Sequence, residues 1–262
     1  MTLERGDVER FAERLHRAER RREPTEPLTD ERPDLTDEDA YEIQAALLRR
    51  RLVEGEEVVG AKLGFTSRAM REALGVDRPN HGWLTDRMLL DDGVVGPDEL
   101  IHPKVEPEIG FLLRRDLGGA PVTVGDVLDA TAAVFPCLEV VDSRYRGFRF
   151  QGPDNTADNS SAARVVVGAA IGRPDRVDLA RVGVVSSVDG VPVATGAGAA
   201  AAGHPVAAVA WLARRLAARG AALPRGSIVI SGGLTAPVDL RLGTVVRASF
   251  AALGAVSVRM EG

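Results

Sequence analysis

Apolar residues at the start of the chain recur with the spacing of a helix. In 7–22 (DVERFAERLHRAERRR) Val8, Phe11, Leu15 and Ala18 share one face and charges fill the rest. Pro24, Pro27 and Pro33 predict a loop after it. A second helix is predicted to start at Thr36, an N-cap with Asp37, Glu38 and Asp39 in the first turn. It runs through Tyr41, Ile43, Ala46, Leu47 and Leu48 to about Gly55. The period then shortens. Residues 58–64 (VVGAKLG) read as a strand, and Ser67 caps a short helix that ends at Gly75. Strand-like runs follow at 105–113, 134–141, 164–168, 183–188, 227–231, 244–250 and 255–260. Asp189 and Gly190 join two of them as a hairpin. One good helix interrupts the runs, from His204 to about Ala218, with Gly220 as its stop. The alanines and glycines of 194–203 read as tight packing or a loop within the domain. Strands with few helices between them predict an α+β fold rather than a doubly wound sheet. Residues 1–85 are expected to form a helical region packed on a mixed-β domain at 86–262, the two together countable as one domain.

Composition narrows the function. The chain has 262 residues, 45% of them hydrophobic, and a net charge of −5. Such a chain buries a sizeable core, and its acidic balance argues against nucleic-acid binding. The low-charge stretch 191–212 is alanine-rich and broken by His204 and Pro205, so no membrane span is expected. The first residues are charged rather than apolar, which predicts a soluble, cytoplasmic protein. The single cysteine, Cys137, lies in an apolar run and reads as a buried, inert thiol. Of 33 cationic residues only Lys62 and Lys104 are lysines. In so arginine-biased a chain a retained lysine can mark a place that needs a compact ammonium able to move a proton. Lys62 is the stronger candidate.

Glu106 and Glu108 stand two apart in a predicted strand, so both carboxylates project from one face. Pro107 between them cannot donate to a ladder, which predicts a strand edge or start. Glu139 is an acid embedded in an apolar run and needs a partner. Three carboxylates offering only oxygen suit a hard cation such as Mg²⁺ or Mn²⁺. The plainer reading is a solvated Glu106–Glu108 edge with Glu139 paired to an arginine such as Arg144. The residues alone leave both open. The polar cluster at 154–161 (DNTADNSS) reads as a capped turn or as a loop presenting amides and hydroxyls to a ligand. Gly232 and Gly233 permit either close backbone approach or a bulge. His204 reads as a helix-start residue. Nucleotide and thiol chemistry lack their motifs.

The motifs GAKLGFTSRAMREALGV, HPKVEPEIGFLL, CLEVVDSRY, ADNSS and ISGGLTAPV occur in that order. Together they closely resemble the 2-oxo-4-pentenoate hydratase and 4-oxalocrotonate decarboxylase group of the fumarylacetoacetate hydrolase superfamily. The likeness runs from about Leu3 to Met260. It implies a mixed β roll or sandwich with flanking helices, homo-oligomers, and a Mg²⁺- or Mn²⁺-dependent lyase of aromatic meta-cleavage catabolism. By the same resemblance Glu106, Glu108 and Glu139 are the metal ligands and Lys62, Asp158 and Ser161 are catalytic. The resemblance also implies that Asn159 and Thr235 bind a small 2-oxo acid substrate, and Arg149 is a further candidate for binding it. A complex with the pathway's partner hydratase belongs to the same picture. The histidine–acid pair of the superfamily's hydrolases has no match here. VDSRYRGFRF and ISGGLTAPV look more like the decarboxylases, and Asn80 stands where many hydratases carry an acid. Arg149 either holds the second carboxylate of a diacid or is an ordinary surface arginine. The implied reaction decarboxylates 2-oxo-3-hexenedioate (4-oxalocrotonate) to 2-hydroxypenta-2,4-dienoate through a dienolate on the metal. The alternatives are 2-oxopent-4-enoate hydration to 4-hydroxy-2-oxopentanoate, and a non-catalytic scaffold subunit, against which the intact glutamates and Lys62 argue.

Overall fold

In a computed structural model, residues 3–119, 121–169 and 172–262 are described. Helices α1 (Arg5–Arg21), α2 (Leu28–Glu31) and α3 (Asp37–Val53) make the N-terminal layer. Phe11, Leu15, Leu28, Ile43 and Leu47 form its apolar cluster, which also takes in Tyr145 and Ala157. The start of α3 lies where the sequence predicts. Thr36 accepts from the Asp39 N–H, and Asp39 accepts from the Thr36 N–H, closing a capping box.

Next come β1 (Val58–Gly64), α4 (Arg68–Leu74), β2 (Asn80–Thr85), β3 (Leu89–Leu90) and β4 (Val94–Val95). The long strands β5 (Lys104–Leu113) and β6 (Thr131–Val141) flank α5 (Val124–Ala130). Helix α6 (Gly152–Ala157) leads to β7 (Ala162–Val167), and β8 (Gly183–Val188) turns at Asp189 and Gly190 into β9 (Val191–Ala197). Helix α7 (Pro205–Ala217) precedes β10 (Ile228–Ile230), β11 (Val238–Asp239), β12 (Val245–Phe250) and β13 (Gly254–Met260). His204 is the N-cap of α7, its Nδ1 accepting from the Val206 N–H at 3.1 Å.

Two sheets result. The eight-stranded one runs β2-β1-β10-β5-β6-β7-β3, with β11 also on β5, and the five-stranded one runs β4-β13-β12-β8-β9. Parallel and antiparallel pairings mix within each. Ile109, Phe111, Leu138, Leu212, Ala248 and Val258 belong to one continuous core drawn from both sheets and α7. Strands β1 and β2 precede residue 86 yet join β5 through β10, so the boundary expected near residue 85 runs through the sheet.

Pro107 predicts a strand edge or start, but it falls within β5, and β5 lies inside the sheet. It pairs along its length with β6, while β10 covers residues 110–112 and β11 covers 104–105 on the other side. Pro107 falls in the gap between those two partners, where its carbonyl accepts from the Leu234 N–H at 2.9 Å. The missing N–H faces the same interruption, so no ladder bond is lost. The gap is filled by the turn that lines the site.

Candidate metal and substrate site

The antiparallel register of β5 and β6 sets Glu106 opposite Glu139 and Glu108 opposite Cys137. Alternation puts the three carboxylates on one face. One oxygen from each of Glu106, Glu108 and Glu139 lies within 4.8 Å of the others. Glu108 and Glu139 are fully buried, whereas Glu106 is half-buried and borders a cavity. Glu108 Oε2 accepts from the Gly232 N–H at 2.7 Å. Only glycine suits that position, because φ is +89° and an added Cβ would stand 2.2 Å from Thr66 Oγ1.

Glu108 Oε1 and both Glu139 oxygens lack a hydrogen-bond partner. Lys62 Nζ lies 3.0 Å from Glu139 Oε2, an ion pair by distance without hydrogen-bond alignment. Buried carboxylate oxygens left unpartnered are costly. Three such oxygens on Glu108 and Glu139, with a Glu106 oxygen in the same cluster, fit a hard divalent cation, which takes oxygen ligands.

Burial and the nearby Glu139 charge push Glu106 up to about 7, with Lys62 pulling the other way. Burial raises Glu108 well above the usual carboxylate range, and it raises Glu139 against the pull of Lys62. Burial draws Lys62 down, but Glu139, Glu106 and Glu108 outweigh it and leave its pKa raised. Without a cation the folded chain therefore holds the Glu106 proton more tightly than an unfolded chain does. That stabilisation is complete below pH 4.5 and is lost as the pH climbs to about 7. Melting temperatures of chelator-treated protein are expected to fall across this window. Mg²⁺ at a hundredfold excess over its Kd should restore about 2.7 kcal/mol. A flat pH profile that Mg²⁺ leaves unmoved would contradict this account.

The cavity beside the trio has a volume of about 440 Å³. Lys62, reaching in from β1, donates to Ser160 O at 2.9 Å and to Ser160 Oγ at 3.1 Å. Ser160 sits in a run of three left-handed residues, Asn159, Ser160 and Ser161, with φ of 51°, 53° and 58°. Each such residue costs roughly 1 kcal/mol, so the surroundings must hold the run. The Asn159 amide does so from one side, donating to Trp83 O at 2.9 Å and accepting from Trp83 N at 2.8 Å. Asp158 does so from the other through Arg144. Gly64 lets the run approach β1, since a Cβ there would stand 2.3 Å from Ser160 Oγ and 2.2 Å from Asn80 Oδ1.

The expected site residues divide in two. Lys62, Ser161 and Thr235 line the cavity with Glu106. Asn159 and Asp158 do not line it, and act on the residues that do. Asp158 is fully buried against Arg144; burial pushes its carboxyl up to about 7 while Arg144 draws it back. Arg149, expected to receive a substrate carboxylate, points outward and is held by Glu26 and Asp30, so the surface reading applies. Glu139 pairs with Lys62 rather than Arg144. Lys104 pairs with Asp239 outside the trio. Sequence reasoning missed Ser160 and Asn155, which line the cavity, and Gln44, whose amide donates to both His81 O and Thr156 O at 2.8 Å. The density of short polar residues at 154–161 is the one signal that pointed to the first two. Away from the trio the cavity wall is apolar, with Met70, Leu74, Phe148, Phe150 and Pro237. Among the described residues, Lys62 is the one cationic side chain on its lining.

The family model for the fumarylacetoacetate (FAA) hydrolase C-terminal region matches residues 70–261. This chain belongs to the fumarylacetoacetate hydrolase family. It is 40% identical over 259 residues, 98% of each chain, to a 4-oxalocrotonate decarboxylase of Pseudomonas sp. (strain CF600). It is 41% identical over 239 residues, 90% of each chain, to a 2-hydroxyhexa-2,4-dienoate hydratase of Comamonas testosteroni. The fold of this family member superposes on 4-oxalocrotonate decarboxylase from Pseudomonas putida G7, solved with magnesium and adipate, with a TM-score of 0.95, 39% identity and 99% of each chain covered. The mixed sheets with helices are thus the family fold. These relatives are lyases, and the chain is a metal-dependent enzyme of that kind. No helix among the described residues is long and apolar enough to cross a membrane.

Proposed function

We propose that this chain removes CO₂ from 2-oxo-3-hexenedioate to give 2-hydroxypenta-2,4-dienoate. The observation that carries the reading is the chemistry around the trio. Decarboxylation needs an electron sink at one end and a desolvated carboxylate at the other, and no base to activate water. The cavity supplies amides and hydroxyls from Asn155, Ser160 and Ser161, while the nearby acid Asp158 is committed to Arg144. Glu106, Glu108 and Glu139 would hold Mg²⁺ or Mn²⁺, and such a cation supplies Lewis-acid stabilisation of charge developing on the C2 oxygen.

The rest falls to the chain itself. Met70, Leu74, Phe148 and Phe150 would surround the distal C6 carboxylate with apolar surface. Desolvation favours its loss, because breaking C5–C6 carries the charge away from that end. The electrons close C4=C5, shift the C3=C4 double bond to C2=C3 and reach the C2 oxygen. Lys62, an ammonium on the cavity wall, would deliver its Nζ proton there or hold the charge. Lys62→Met is expected to leave Mg²⁺ affinity within a few fold and to cut kcat by roughly 10²–10⁴. Unchanged kcat in that variant would take Lys62 out of the chemistry.

Hydration of 2-hydroxypenta-2,4-dienoate is the second reading, favoured by the hydratase relative and by an apolar wall that also suits an uncharged vinyl end. Supplying each substrate separately with Mg²⁺ decides between them. CO₂ release from the diacid without water addition to the dienol supports decarboxylation, and the converse overturns it. Assembly into homo-oligomers, and with a partner hydratase, is part of the proposal. Exposed Val185, Val191, Val193 and Val245 on the five-stranded sheet support it, and light scattering of the protein alone and mixed with such a hydratase tests it.

A further inference from the structure

Four polar side chains lead on from Lys62 by a route outside the carboxylate trio, with Thr156 as a branch. Lys62 Nζ donates to Ser160 Oγ at 3.1 Å, and Ser160 Oγ donates to Asn80 Oδ1 at 3.0 Å. Asn80 Nδ2 donates to Asn155 Oδ1 at 2.9 Å and to Thr156 Oγ1 at 3.0 Å. Asn155 Nδ2 donates to Ser161 Oγ at 3.0 Å. Asn80, Asn155, Ser160 and Ser161 are all buried. An ammonium has donors and no acceptor, so Lys62 sets the direction at one end. Ser160 Oγ must accept from it and pass its own hydrogen on. Each amide then receives on oxygen and gives from nitrogen. At the far end Ser161 Oγ accepts from Asn155 and donates to no group among the described residues, and Ser161 is on the cavity lining.

We propose that Asn80 and Ser160 are positioning residues in a one-way hydrogen-bond chain that presents Ser161 Oγ–H as a donor to the bound 2-oxo acid. This deepens the proposed function and rests on its 2-oxo acid ligand. The amide at position 80 is what sustains the direction. An ionised aspartate there accepts only. It would take the hydrogen of Ser160 and turn the Asn155 amide so that its nitrogen faces position 80. Asn155 Oδ1 would then face Ser161, which would donate inward and offer the cavity only a lone pair. A protonated aspartic acid, with one donor and one acceptor, restores the original direction. The left-handed run at 159–161 has a use in this light, for it brings both Ser160 Oγ and Ser161 Oγ to their places in the chain.

The test is a double-mutant cycle of Asn80→Asp and Ser161→Ala on the Mg²⁺-loaded protein, reading the Kd for oxalate by calorimetry and kcat from pH 5 to 9. Other charged groups around position 80 are Lys62 beyond Ser160, Asp37, Arg78 and Arg215, which line a second, small cavity together with Asn80, and Asp154 and Asp158 on the α6 side, held by Thr29 and Arg144. His81 stays neutral, held down to about 3 by burial and by Arg215 and Arg219. Expected at pH 8 is a roughly tenfold loss of oxalate affinity for Asn80→Asp relative to the wild type. The ratio should climb back towards one as the pH falls and the new carboxyl takes up a proton. In the Ser161→Ala background Asn80→Asp should do nothing further and show no such pH dependence. A pH-independent ratio, or additive effects in the cycle, would overturn the chain. Ser160→Ala, which cuts the chain next to Lys62, should reproduce the loss without the recovery at low pH, and recovery there would also count against it. Oxalate binding needs no turnover, so these results stand apart from whether the wild type releases CO₂.

Discussion

Glu106→Gln is expected to remove metal-dependent turnover almost entirely. Lewis-acid stabilisation is worth several kcal/mol, so its loss lowers kcat on the order of a thousandfold or more. The carboxamide keeps the shape of the side chain and loses the anionic oxygen that faces Glu108 and Glu139. Calorimetric titration should show weakened Mg²⁺ binding in parallel with the rate. The stability effect has the opposite sign. Without a cation the trio repels itself, and Glu139 is one of the charges that hold Glu106 near 7. The variant should therefore melt at a higher temperature than chelator-treated wild type above pH 7, and gain less from added Mg²⁺. Full activity in Glu106→Gln would strike this residue from the ligand set.

Asp158→Ala is expected to destabilise the protein by roughly 3–5 kcal/mol, the usual result of leaving one member of a buried ion pair without its partner. Arg144 is fully buried, donates to the Asp158 carboxylate, and reaches Asp142 O at 2.7 Å and Ala162 O at 3.1 Å. Deleting Asp158 strands its guanidinium and frees the segment from which the left-handed run starts. For a chain of this size the melting temperature should fall by about 10 °C. Activity should fall as well, because Ser160 is placed on Lys62 by that run. Replacing Arg144 by methionine at the same time should recover much of the stability, since an apolar pair of similar volume often matches a buried ion pair. Recovered stability without recovered activity would identify Asp158 as a positioning residue. A melting temperature within a degree or two of the wild type in Asp158→Ala would contradict the account.

Much of the fold was legible locally. The start of α3, the stop of α4 at Gly75, the β8–β9 hairpin and the N-cap of α7 depend on side chains within a few residues of the backbone they serve. Elements made by distant partners were not legible. Helix α6 looked like a turn because its residues are polar. Its Asp154 is secured by Thr29, far away in the chain, at 2.9 Å and 2.6 Å. Pro107 signalled an edge because a sequence cannot show that a neighbouring strand is interrupted just there.

The sequence by itself determined the chemistry available: three acids with strand spacing or apolar surroundings, two lysines in an arginine-rich chain and a dense patch of short polar residues. It also carried the family likeness. Only the tertiary structure decided which of these meet. Strand register set Glu139 across from Glu106, and a parallel β1–β10 pairing brought Lys62 to them. A strained three-residue run sent Ser160 and Ser161 to the cavity and Asn159 to Trp83, while Arg149 stayed with Glu26 and Asp30 at the surface. The reason is physical. Residue type states what a group can donate or accept, but its partner and its share of solvent are set by contacts between segments far apart in the chain.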